Sequence, residues 1–562
     1  MTPKHNTART GAQLLVDQLV IQGITHAYCV PGESYLAVLD ALRDSGIALT
    51  VCRQEGGAAM MAEAHGKLTG RPGVCFVTRG PGATNAAAGV HVAKQDSTPM
   101  ILFVGQVERG FRGREAFQEI DIPAVFGPLA KWAVEIDSAE RVPEIVSRAF
   151  HVAASGRPGP VVIGMPEDML SETALVADCA PAVIADPAPS PDQVSELLDL
   201  LSHAKRPVLL LGGSRWNEQA VASLARFAER WALPVAVSFR RQNLFPADSP
   251  SYIGDLGVGP NPKLAERVRA SDLILLIGGR LSENPSQAYT LLEIPLPKQP
   301  LVHIHPDAAE LGRVYQAQLA INTSPATFAA ALNKLSPEAL PAPAWAGATG
   351  QARLDYLAWS DPKSLRTPGA LQMPEVMAYL IGRLPADAIV CNGAGNYTTW
   401  VHRFYPFRRF GTQLAPVSGS MGYGVPAAIA AKRIHPEKTV ISFAGDGCFL
   451  MHGQEFATAV QYALAIIIIV VDNAMYGTIR MHQEREYPGR VFGTTLRNPD
   501  FAAYARAFGG HGERIEKTDD FAPAFERALA SGKPSILHCL IDPEAITPST
   551  TLSAIRAAAG GK

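Results

Sequence analysis

Two apolar segments near the C-terminal end of the chain are each followed by residues that could bind a metal ion and a phosphate group. Thr439–Ala444 precedes Gly445-Asp446-Gly447-Cys448, and Ala463–Val471 precedes Asp472-Asn473-Ala474-Met475-Tyr476-Gly477. The Asp446 carboxylate and the Asn473 amide oxygen are hard ligands of the kind that magnesium prefers. The glycines beside Asp446 let the backbone approach phosphate oxygens, and a helix that begins near Phe449 would point its positive end at them.

Both apolar segments are predicted to be buried strands of a parallel sheet, because they are short and rich in β-branched residues. Ligands bind at the carboxyl ends of such strands, which is where Asp446 and Asn473 stand. A Gly-Asp-Gly triplet alone is more often an ordinary turn, and Asp-Asn after a strand is often a cap. Their joint occurrence after two consecutive strands favours a metal–diphosphate site.

The same alternation of short apolar segments and longer helical patterns runs through all 562 residues. It predicts an α/β protein of three doubly wound parallel-sheet domains. Two segments rich in Pro and Ala, Cys179–Pro191 and Leu335–Gly350, are predicted linkers, so the predicted domains are residues 1–180, 192–335 and 365–550. The strands predicted in the first two domains are Gly73–Thr78, Met100–Val104, Val208–Leu211, Pro234–Val237, Leu273–Ile277 and Leu301–Ile304.

The composition excludes several classes of function. Hydrophobic residues make up 47% of the chain, charged residues 18%, and the formal net charge is -2, so no nucleic-acid or anionic-membrane surface is indicated. The longest uninterrupted apolar segment is far shorter than the ~20 residues that cross a bilayer. The first twenty residues lack the pattern of a secretory signal. The seven cysteines are scattered and form no CxxC pair, as in a reduced, cytoplasmic protein.

The spacing of the metal-site residues resembles a known family motif. Gly445-Asp446-Gly447 is followed 24 residues later by Asp472-Asn473, with four consecutive isoleucines shortly before that pair. This arrangement is similar to the thiamine diphosphate motif, and nearly the whole chain resembles the catalytic subunit of acetolactate synthase and its homologues. The resemblance implies that Asp446, the Asn473 side chain and the Met475 carbonyl bind Mg²⁺. The implied cofactor contacts also include Gly445, Gly447, Cys448, Tyr476 and Gly477.

The resemblance assigns Glu55 as the catalytic acid. Arg53-Gln54-Glu55-Gly56-Gly57 follows an apolar strand and opens a predicted helix, where a carboxylate is most often a simple cap. In the family this acid hydrogen-bonds the aminopyrimidine of thiamine diphosphate, which then removes the proton from the thiazolium ring. That role requires a buried acid with a raised proton affinity. Met421, in a glycine-rich segment, matches the family residue that holds the cofactor's two rings in a bent shape.

Four positions of the cofactor site depart from the family pattern. Position 472 is usually Asn and position 448 is often Ser, whereas this chain has Asp472 and Cys448. The second, metal-binding Asn is retained, and Cys448 costs at most one hydroxyl contact to phosphate. Asn396 and Tyr397 stand where relatives carry Gln and His that contact the diphosphate. Both side chains can still hydrogen-bond a phosphate oxygen.

The substrate pocket is implied by resemblance alone. Phe117 and Gln118 match residues that line the family's reaction pocket, and Lys131 matches a residue nearby. Core packing of Phe117 and a solvated Lys131 are the ordinary alternatives, but the spacing between the two residues fits the family and favours the pocket roles. Thr478 and His482 replace the family's acceptor-side Met and Trp, which predicts a different and more polar acceptor.

Glu33 stands where relatives have glycine near the reacting atoms. It would repel anionic substrates unless it is protonated or hydrogen-bonded.

The middle domain resembles the family least. Relatives that carry FAD use an Arg at the position of Asn284, and their Leu-Gly-Met-His-Gly segment corresponds here to Leu256–Pro260. The glycine pairs after the predicted strands are also explained as strand-to-helix turns. FAD binding is therefore left open, since kinship of fold does not transmit a cofactor.

The resemblance implies a thiamine diphosphate- and Mg²⁺-dependent enzyme that decarboxylates a 2-oxo acid such as pyruvate and transfers the two-carbon unit to an acceptor. The alternatives are a 2-oxo acid decarboxylase or benzoin-type carboligase, a sulfoacetaldehyde acetyltransferase-like enzyme, and a catalytically silent regulatory homologue. Relatives place Glu55 of one subunit against the diphosphate site of another, which implies a homodimer or homotetramer. The last stretch, from Ala545, either closes over the site or is a disordered tail.

Overall fold

The computed structural model describes residues 7–336, 340 and 342–560, which contain three six-stranded sheets. All neighbouring strands within each of these sheets are parallel. The predicted α/β fold of three parallel-sheet domains is therefore confirmed. The exact domain boundaries remain a prediction.

The N-terminal sheet has the strand order β3-β2-β4-β5-β7-β6, and β1 and β8 form a separate antiparallel pair. The strands are β1 Arg9–Thr10, β2 His26–Cys29, β3 Ala48–Val51, β4 Gly73–Val77, β5 Met100–Gln106, β6 Trp132–Glu135, β7 Pro160–Pro166 and β8 Thr173–Ala174. The helices are α1 Gly11–Ile21, α2 Leu36–Arg43, α3 Glu55–Thr69, α4 Gly80–Asp96, α5 Ile122–Phe126, α6 Val142–Ala154 and α7 Glu167–Ser171.

The middle sheet has the order β11-β10-β9-β12-β13-β14. Its strands are β9 Pro207–Leu211, β10 Val235–Ser238, β11 Tyr252–Leu256, β12 Leu273–Ile277, β13 Leu301–His305 and β14 Leu319–Asn322. The helices are α8 Pro191–His203, α9 Glu218–Arg230, α10 Pro262–Arg269, α11 Pro325–Leu332 and α12 Ala346–Trp359. Leu209 and Leu211 pack in one core while Val208 and Leu210 pack in another, so both faces of the sheet are covered and the strands are apolar throughout.

The C-terminal sheet has the order β16-β15-β17-β18-β20-β19. Its strands are β15 Ile389–Asn392, β16 Gln413–Leu414, β17 Val440–Gly445, β18 Ile466–Asp472, β19 His511–Ile515 and β20 Ser535–Leu540. The helices are α13 Met373–Arg383, α14 Thr398–Phe404, α15 Gly424–Ile434, α16 Asp446–His452, α17 Phe456–Gln461, α18 Gly477–Glu486, α19 Phe501–Ala507, α20 Thr518–Ser531 and α21 Leu552–Gly560.

The chain divides into two compact units. The first comprises the segment up to Ala185 together with Ile429–Ile434 and His452–Tyr462, and the second comprises the rest. Each of the predicted strands overlaps an observed strand, with ends that differ by up to three residues. The first predicted linker lacks regular structure, but the second ends inside α12, and part of it lies outside the described residues. No helix of the described segments is long and apolar enough to cross a membrane.

Candidate active site

The carboxyl ends of β15, β17 and β18 meet at one cavity of about 240 Å³. The chain passes from β15 to β16 on one side and returns to β17 on the other, and open α/β sheets bind ligands at such a switch point. Twelve residues of the predicted site line the cavity, namely Asn396, Tyr397, Met421, Gly445, Asp446, Gly447, Cys448, Asn473, Met475, Tyr476, Gly477 and Thr478.

Asp446 is the first residue of α16, and its side chain is almost fully buried. Asn498 Nδ2 donates a hydrogen bond to Asp446 Oδ2 at 2.7 Å. The pKa of Asp446 is raised to about 7, chiefly by burial and in part by the neighbouring Asp472 carboxylate, although the bond from Asn498 opposes this shift. A cation bound at this carboxylate would favour the ionised form.

Glycines allow the backbone to pack closely around Asp446. A Cβ atom at Gly445 would lie 2.8 Å from Tyr397 Cδ1, and one at Gly447 would lie 2.6 Å from Tyr476 Cε1, so any side chain there would displace an aromatic ring. Because β17 passes directly into α16, the helix begins at Asp446 and not near Phe449 as predicted. The residues right after Asp446 therefore belong to the first helical turn, whose N–H groups have no partner within the helix.

The turn after β18 carries two further oxygen atoms of the kind that could bind a metal ion. Ala474 lies between Asn473 and Met475 and has a φ of +56°, a left-handed conformation that is uncommon for alanine. The Leu496 N–H donates to the Ala474 carbonyl at 2.8 Å, and Met475 pairs with Thr495 in an isolated antiparallel bridge. With Asp446, the Asn473 amide and the Met475 carbonyl form a set of hard oxygen donors that fits Mg²⁺.

The hydroxyl of Tyr397 is bound within the protein. It accepts a hydrogen bond from the Gly393 N–H at 3.0 Å and lies 3.1 Å from Cys448 Sγ. The Gly422 N–H donates to the same sulfur at 3.2 Å. Burial raises the pKa of Tyr397 well above its usual value, so the side chain stays neutral. The predicted bond from this hydroxyl to a phosphate oxygen would require it to leave these partners, whereas its ring already lies against Gly445.

Thr478 and Asn396 are connected across the cavity. Thr478 Oγ1 donates to Asn396 Oδ1 at 2.9 Å, and Asn396 Nδ2 lies 3.5 Å from the sulfur of Met481. The predicted acceptor-pocket residue Thr478 therefore orients a predicted diphosphate contact. His482 is one helical turn further along α18 and exposed, and it does not line this cavity, so its predicted place in the substrate pocket stays a prediction.

The C-terminal segment covers part of the cavity. Ala545 and Ile546 line it, and α21 packs on α18. Glu484 of α18 is 1% exposed and accepts hydrogen bonds from Arg480 at 2.9 Å and from Arg556 of α21 at 2.7 and 2.8 Å. This arrangement favours the closing role left open by the sequence over a disordered tail, as far as residue 560.

Glu55 is the first residue of α3, as predicted, and its Oε2 accepts a hydrogen bond from Asn85 Nδ2 at 3.0 Å. It is only half-buried within its own unit, so the burial that its predicted role requires is incomplete there. A second acid, Glu455, is fully buried and accepts from the backbone N–H groups of Arg53 at 3.0 Å and Gln54 at 2.9 Å. Glu455 thus fixes the backbone from which Glu55 projects.

Comparison with known proteins agrees with this geometry along the whole chain. Residues 9–125 match the family model described as the thiamine pyrophosphate enzyme N-terminal TPP binding domain, residues 194–332 match the central domain, and residues 393–539 match the C-terminal TPP binding domain. The chain belongs to the thiamine pyrophosphate enzyme family. The family resemblance inferred from the sequence motifs is confirmed.

The relatives of this thiamine pyrophosphate enzyme include several acetolactate synthases. The chain is 33% identical to acetolactate synthase isozyme 2 large subunit of Escherichia coli strain K12, over 95% of each chain. It is 32% identical to the acetolactate synthase large subunit of Parasynechococcus marenigrum, over 94% of this chain and 87% of the relative. The acetolactate synthase large subunit of Corynebacterium glutamicum is 31% identical, over 95% of this chain and 87% of the relative.

Glu33 of this thiamine pyrophosphate enzyme forms an ion pair. Arg79 Nη1 lies 3.3 Å from Glu33 Oε1, and Arg79 Nη2 lies 2.5 Å from Glu167 Oε2. Arg79 is buried while Glu33 is largely exposed. The guanidinium gives the carboxylate a partner of opposite charge, which is the condition under which Glu33 would not repel an anionic substrate, and its predicted pocket role stays a prediction.

The other three predicted pocket residues lie in the first unit, each in a different environment. Phe117 is 73% exposed, which excludes core packing within the unit. Gln118 has a φ of +62°, and its carbonyl accepts from the Gly80 N–H at 3.0 Å at the start of α4. The ammonium of Lys131 donates to the carbonyls of Val152 at 2.6 Å and Ser155 at 2.8 Å, so it caps the end of α6. The predicted pocket role of Lys131 stays a prediction.

Sequence reasoning missed three polar residues, two of them buried and Asn498 partly buried, that contact the site or the segment before Glu55. Asn498 contacts Asp446, His538 contacts Asp472, and Glu455 contacts the segment before Glu55. His538 lies in the otherwise apolar strand β20, and an isolated histidine in a buried strand was the one available signal. Asn498 and Glu455 belong to no motif, so only the fold identifies them.

Proposed function

We propose that this chain is a thiamine diphosphate- and Mg²⁺-dependent enzyme that decarboxylates a pyruvate-like 2-oxo acid and transfers the two-carbon unit to an acceptor, as an acetolactate synthase does. The observation that carries the proposal is the cavity at the switch point of the C-terminal sheet, where Asp446, Asn473 and Met475 come together. The full-length similarity to acetolactate synthase large subunits supports the same reaction class. No structural feature favours the alternative activities.

In the proposed site the Asp446 carboxylate, the Asn473 amide oxygen and the Met475 carbonyl hold Mg²⁺, which binds the diphosphate. When bound, thiamine diphosphate supplies a thiazolium carbon that adds to the substrate carbonyl and accepts the electrons released by decarboxylation. Met421, which is half-buried at the cavity, supports the bent shape of the cofactor. Asn396, whose oxygen is held by Thr478 and whose Nδ2 also contacts Met481, would offer an N–H group to the diphosphate.

Glu55 holds the proton shared with the aminopyrimidine ring in the proposed mechanism. The bond from Asn85 engages Oε2, which leaves Oε1 as the oxygen that exchanges a proton with the ring nitrogen. Glu33, paired with Arg79, and the exposed Phe117 with Gln118 form the substrate side of the proposal.

The proposed enzyme is a homodimer or homotetramer in which Glu55 of one subunit serves the cavity of another. Its half-buried state supports this, because a second subunit would complete the burial that its role requires. Glu55→Gln and Asn473→Ala chains, each inactive alone, are co-expressed and purified together. Each mixed dimer then contains one complete site out of two. Because random pairing makes half of the dimers mixed, about one quarter of the wild-type activity is expected. No recovery in mixed dimers isolated by two affinity tags contradicts the shared site.

Product analysis tests the reaction. The protein is incubated with thiamine diphosphate, Mg²⁺ and a panel of 2-oxo acids, and acetolactate-type products are expected by mass spectrometry. Acetaldehyde alone would indicate a decarboxylase, benzoin-type products a carboligase, and acetyl phosphate from sulfoacetaldehyde an acetyltransferase. Glu55→Gln is expected to lower turnover at least about a hundredfold, while the exposed Glu140→Gln control does not. Unchanged turnover in a folded Glu55→Gln protein contradicts the mechanism.

FAD is not part of the proposed reaction. The position at which FAD-containing relatives carry Arg is Asn284, an exposed neutral amide. The glycine turns after β9 and β12 also lie against each other, since a Cβ at Gly213 would be 1.8 Å from the Gly278 carbonyl oxygen. The visible absorption spectrum of the purified protein reports whether a flavin is bound.

A further inference from the structure

Asp472 is the centre of a buried hydrogen-bond network one residue before the proposed ligand Asn473. Its Oδ1 accepts from the Ala474 N–H at 2.8 Å and from Asn498 Nδ2 at 2.8 Å, and its Oδ2 accepts from His538 Nε2 at 2.8 Å. The side chain is 5% exposed, so water does not replace these partners. Both carboxylate oxygens therefore face hydrogen-bond donors.

The direction of the bond from His538 is fixed by its other nitrogen. The Phe501 backbone N–H, which can only donate, points at His538 Nδ1 at 3.3 Å. Nδ1 must therefore accept, and the proton of the neutral ring is on Nε2, directed at Asp472. The ring is 2% exposed, and the other charged group near it, the Asp500 carboxylate, is 3.7 Å from Nδ1.

Asn498 connects this network to the metal carboxylate. Its Nδ2 donates both to Asp472 Oδ1 and, at 2.7 Å, to Asp446 Oδ2. The bond from Ala474 to Asp472 spans the left-handed residue between Asn473 and Met475. Asp472 thus contacts, directly or through one residue, the elements that carry all three proposed ligands.

We propose that Asp472 and His538 form a mutually dependent positioning pair that sets the geometry of the metal-binding turn; this rests on the proposed function of the cavity. The pair explains why this chain departs from the Asn that its family resemblance leads one to expect at position 472. An asparagine has one accepting oxygen and one donating NH₂ group. If the asparagine oxygen accepts from Ala474 and Asn498, its NH₂ group faces the N–H of His538, so one pair of donors meets. In the reverse orientation the NH₂ group faces both Ala474 and Asn498, so two pairs of donors meet.

If Asp472 and His538 depend on each other, a protein with glutamine at position 538 should tolerate either aspartate or asparagine at position 472. The glutamine amide can rotate to donate to Asp472 or to accept from an asparagine there, whereas His538 can accept there only if its proton moves to Nδ1, where it would meet the Phe501 N–H. Asp472→Asn alone should therefore disrupt the turn, and the same substitution in a His538→Gln background should not. If the contact depended on packing alone, the second substitution would not relieve the first, and the double variant would be at least as impaired as Asp472→Asn.

The test compares wild type, Asp472→Asn, His538→Gln, the double variant and an exposed control, Asp519→Asn. Mn²⁺ binding in the presence of thiamine diphosphate is measured by calorimetry, and the apparent melting temperature is measured without metal or cofactor. Asp472→Asn is expected to weaken Mn²⁺ binding about ten- to a hundredfold and to lower the melting temperature. His538→Gln is expected to weaken Mn²⁺ binding by less than about threefold, and the double variant to regain most of the loss.

Either of two results would overturn the proposed pairing. The first is that Asp472→Asn binds Mn²⁺ as tightly as wild type, and the second is that the double variant binds Mn²⁺ no better than Asp472→Asn. If Asp472→Asn fails to fold, recovery of folded protein in the double variant supports the proposal, and failure of the double while His538→Gln folds refutes it. If the wild-type chain binds neither Mn²⁺ nor thiamine diphosphate, the proposed function is wrong. The melting temperatures of the four proteins still decide the pairing in that case.

Discussion

Substitution of Glu484 by glutamine is expected to release α21 from α18. Glu484 accepts from Arg480, from both Nε and Nη2 of Arg556, and from the Gly489 N–H at 2.9 Å. The hydrogen bond from Arg556 is the main cause that lowers the pKa of Glu484 to about 2. Glutamine keeps the shape and the acceptor for Gly489 but removes the charge that holds the two guanidinium groups.

The size of the effect follows from this pKa and from the exposure of the partners. A depression from about 4.5 corresponds to roughly 3 kcal/mol, since one unit is about 1.4 kcal/mol. Arg480 and the Gly489 N–H cause part of this shift and stay beside Glu484 when α21 opens, and the side chain of Arg556 is 44% exposed, so the share that holds α21 is about 1 kcal/mol. Loss of that amount increases the opening equilibrium of α21 about fivefold, which hydrogen exchange of the amides in Leu552–Gly560 measures directly.

Acid should abolish the difference between the two proteins. The folded-state pKa is lowered, so the stabilisation is fully present above about pH 5 and is lost as the pH falls toward 2. The protection factors of wild type and Glu484→Gln should differ most at about pH 6, approach each other at about pH 3 and converge only near pH 2. Glu486→Gln, an exposed change on the same helix, should exchange as wild type throughout. Equal protection at about pH 6, or a gap that does not narrow in acid, would refute the reasoning.

Three further substitutions test single contacts. Glu455→Ala leaves two backbone N–H groups before Glu55 without their buried acceptor, so kcat should fall about tenfold with little change in KM, and Glu455→Gln should restore most of it in steady-state kinetics. Thr478→Val frees the amide of Asn396 and should weaken thiamine diphosphate binding about three- to tenfold by calorimetry. Lys131→Met removes the cap of α6 and should lower the apparent melting temperature. A rise in KM for the 2-oxo acid would instead support the pocket role of Lys131.

The sheets, and the residues that line the proposed metal site, could be predicted because their signals are local in sequence. Ile466–Asp472 is apolar until its last residue, so the strand and the residue that ends it are visible together. The position of a ligand at the carboxyl end of a parallel strand then follows from general rules for α/β folds. The positions of Asp446 and Asn473 could therefore be predicted without knowledge of contacts between distant parts of the chain.

The residues that orient these ligands could not be predicted, because their positions depend on strand pairing. His538 reaches Asp472 only because β20 pairs with β18 in the register that places His538 beside Val470. The substrate-pocket role of His482 stays a prediction, because it rests on alignment along the chain. Within its own unit His482 is exposed, one helical turn beyond Thr478, and Met481 is the residue of α18 whose sulfur contacts Asn396.

The three donors around Asp472 restrict the order in which this chain could change through evolution. A lineage that begins with Asp472 and His538 and acquires asparagine first would pass through a protein whose metal-binding turn is impaired. Replacement of His538 by a residue that can also accept opens the other route, in which each step is tolerated. The identity of residue 538 therefore determines which ancestors of this chain could have carried two asparagines after β18, although 66 positions separate it from residue 472.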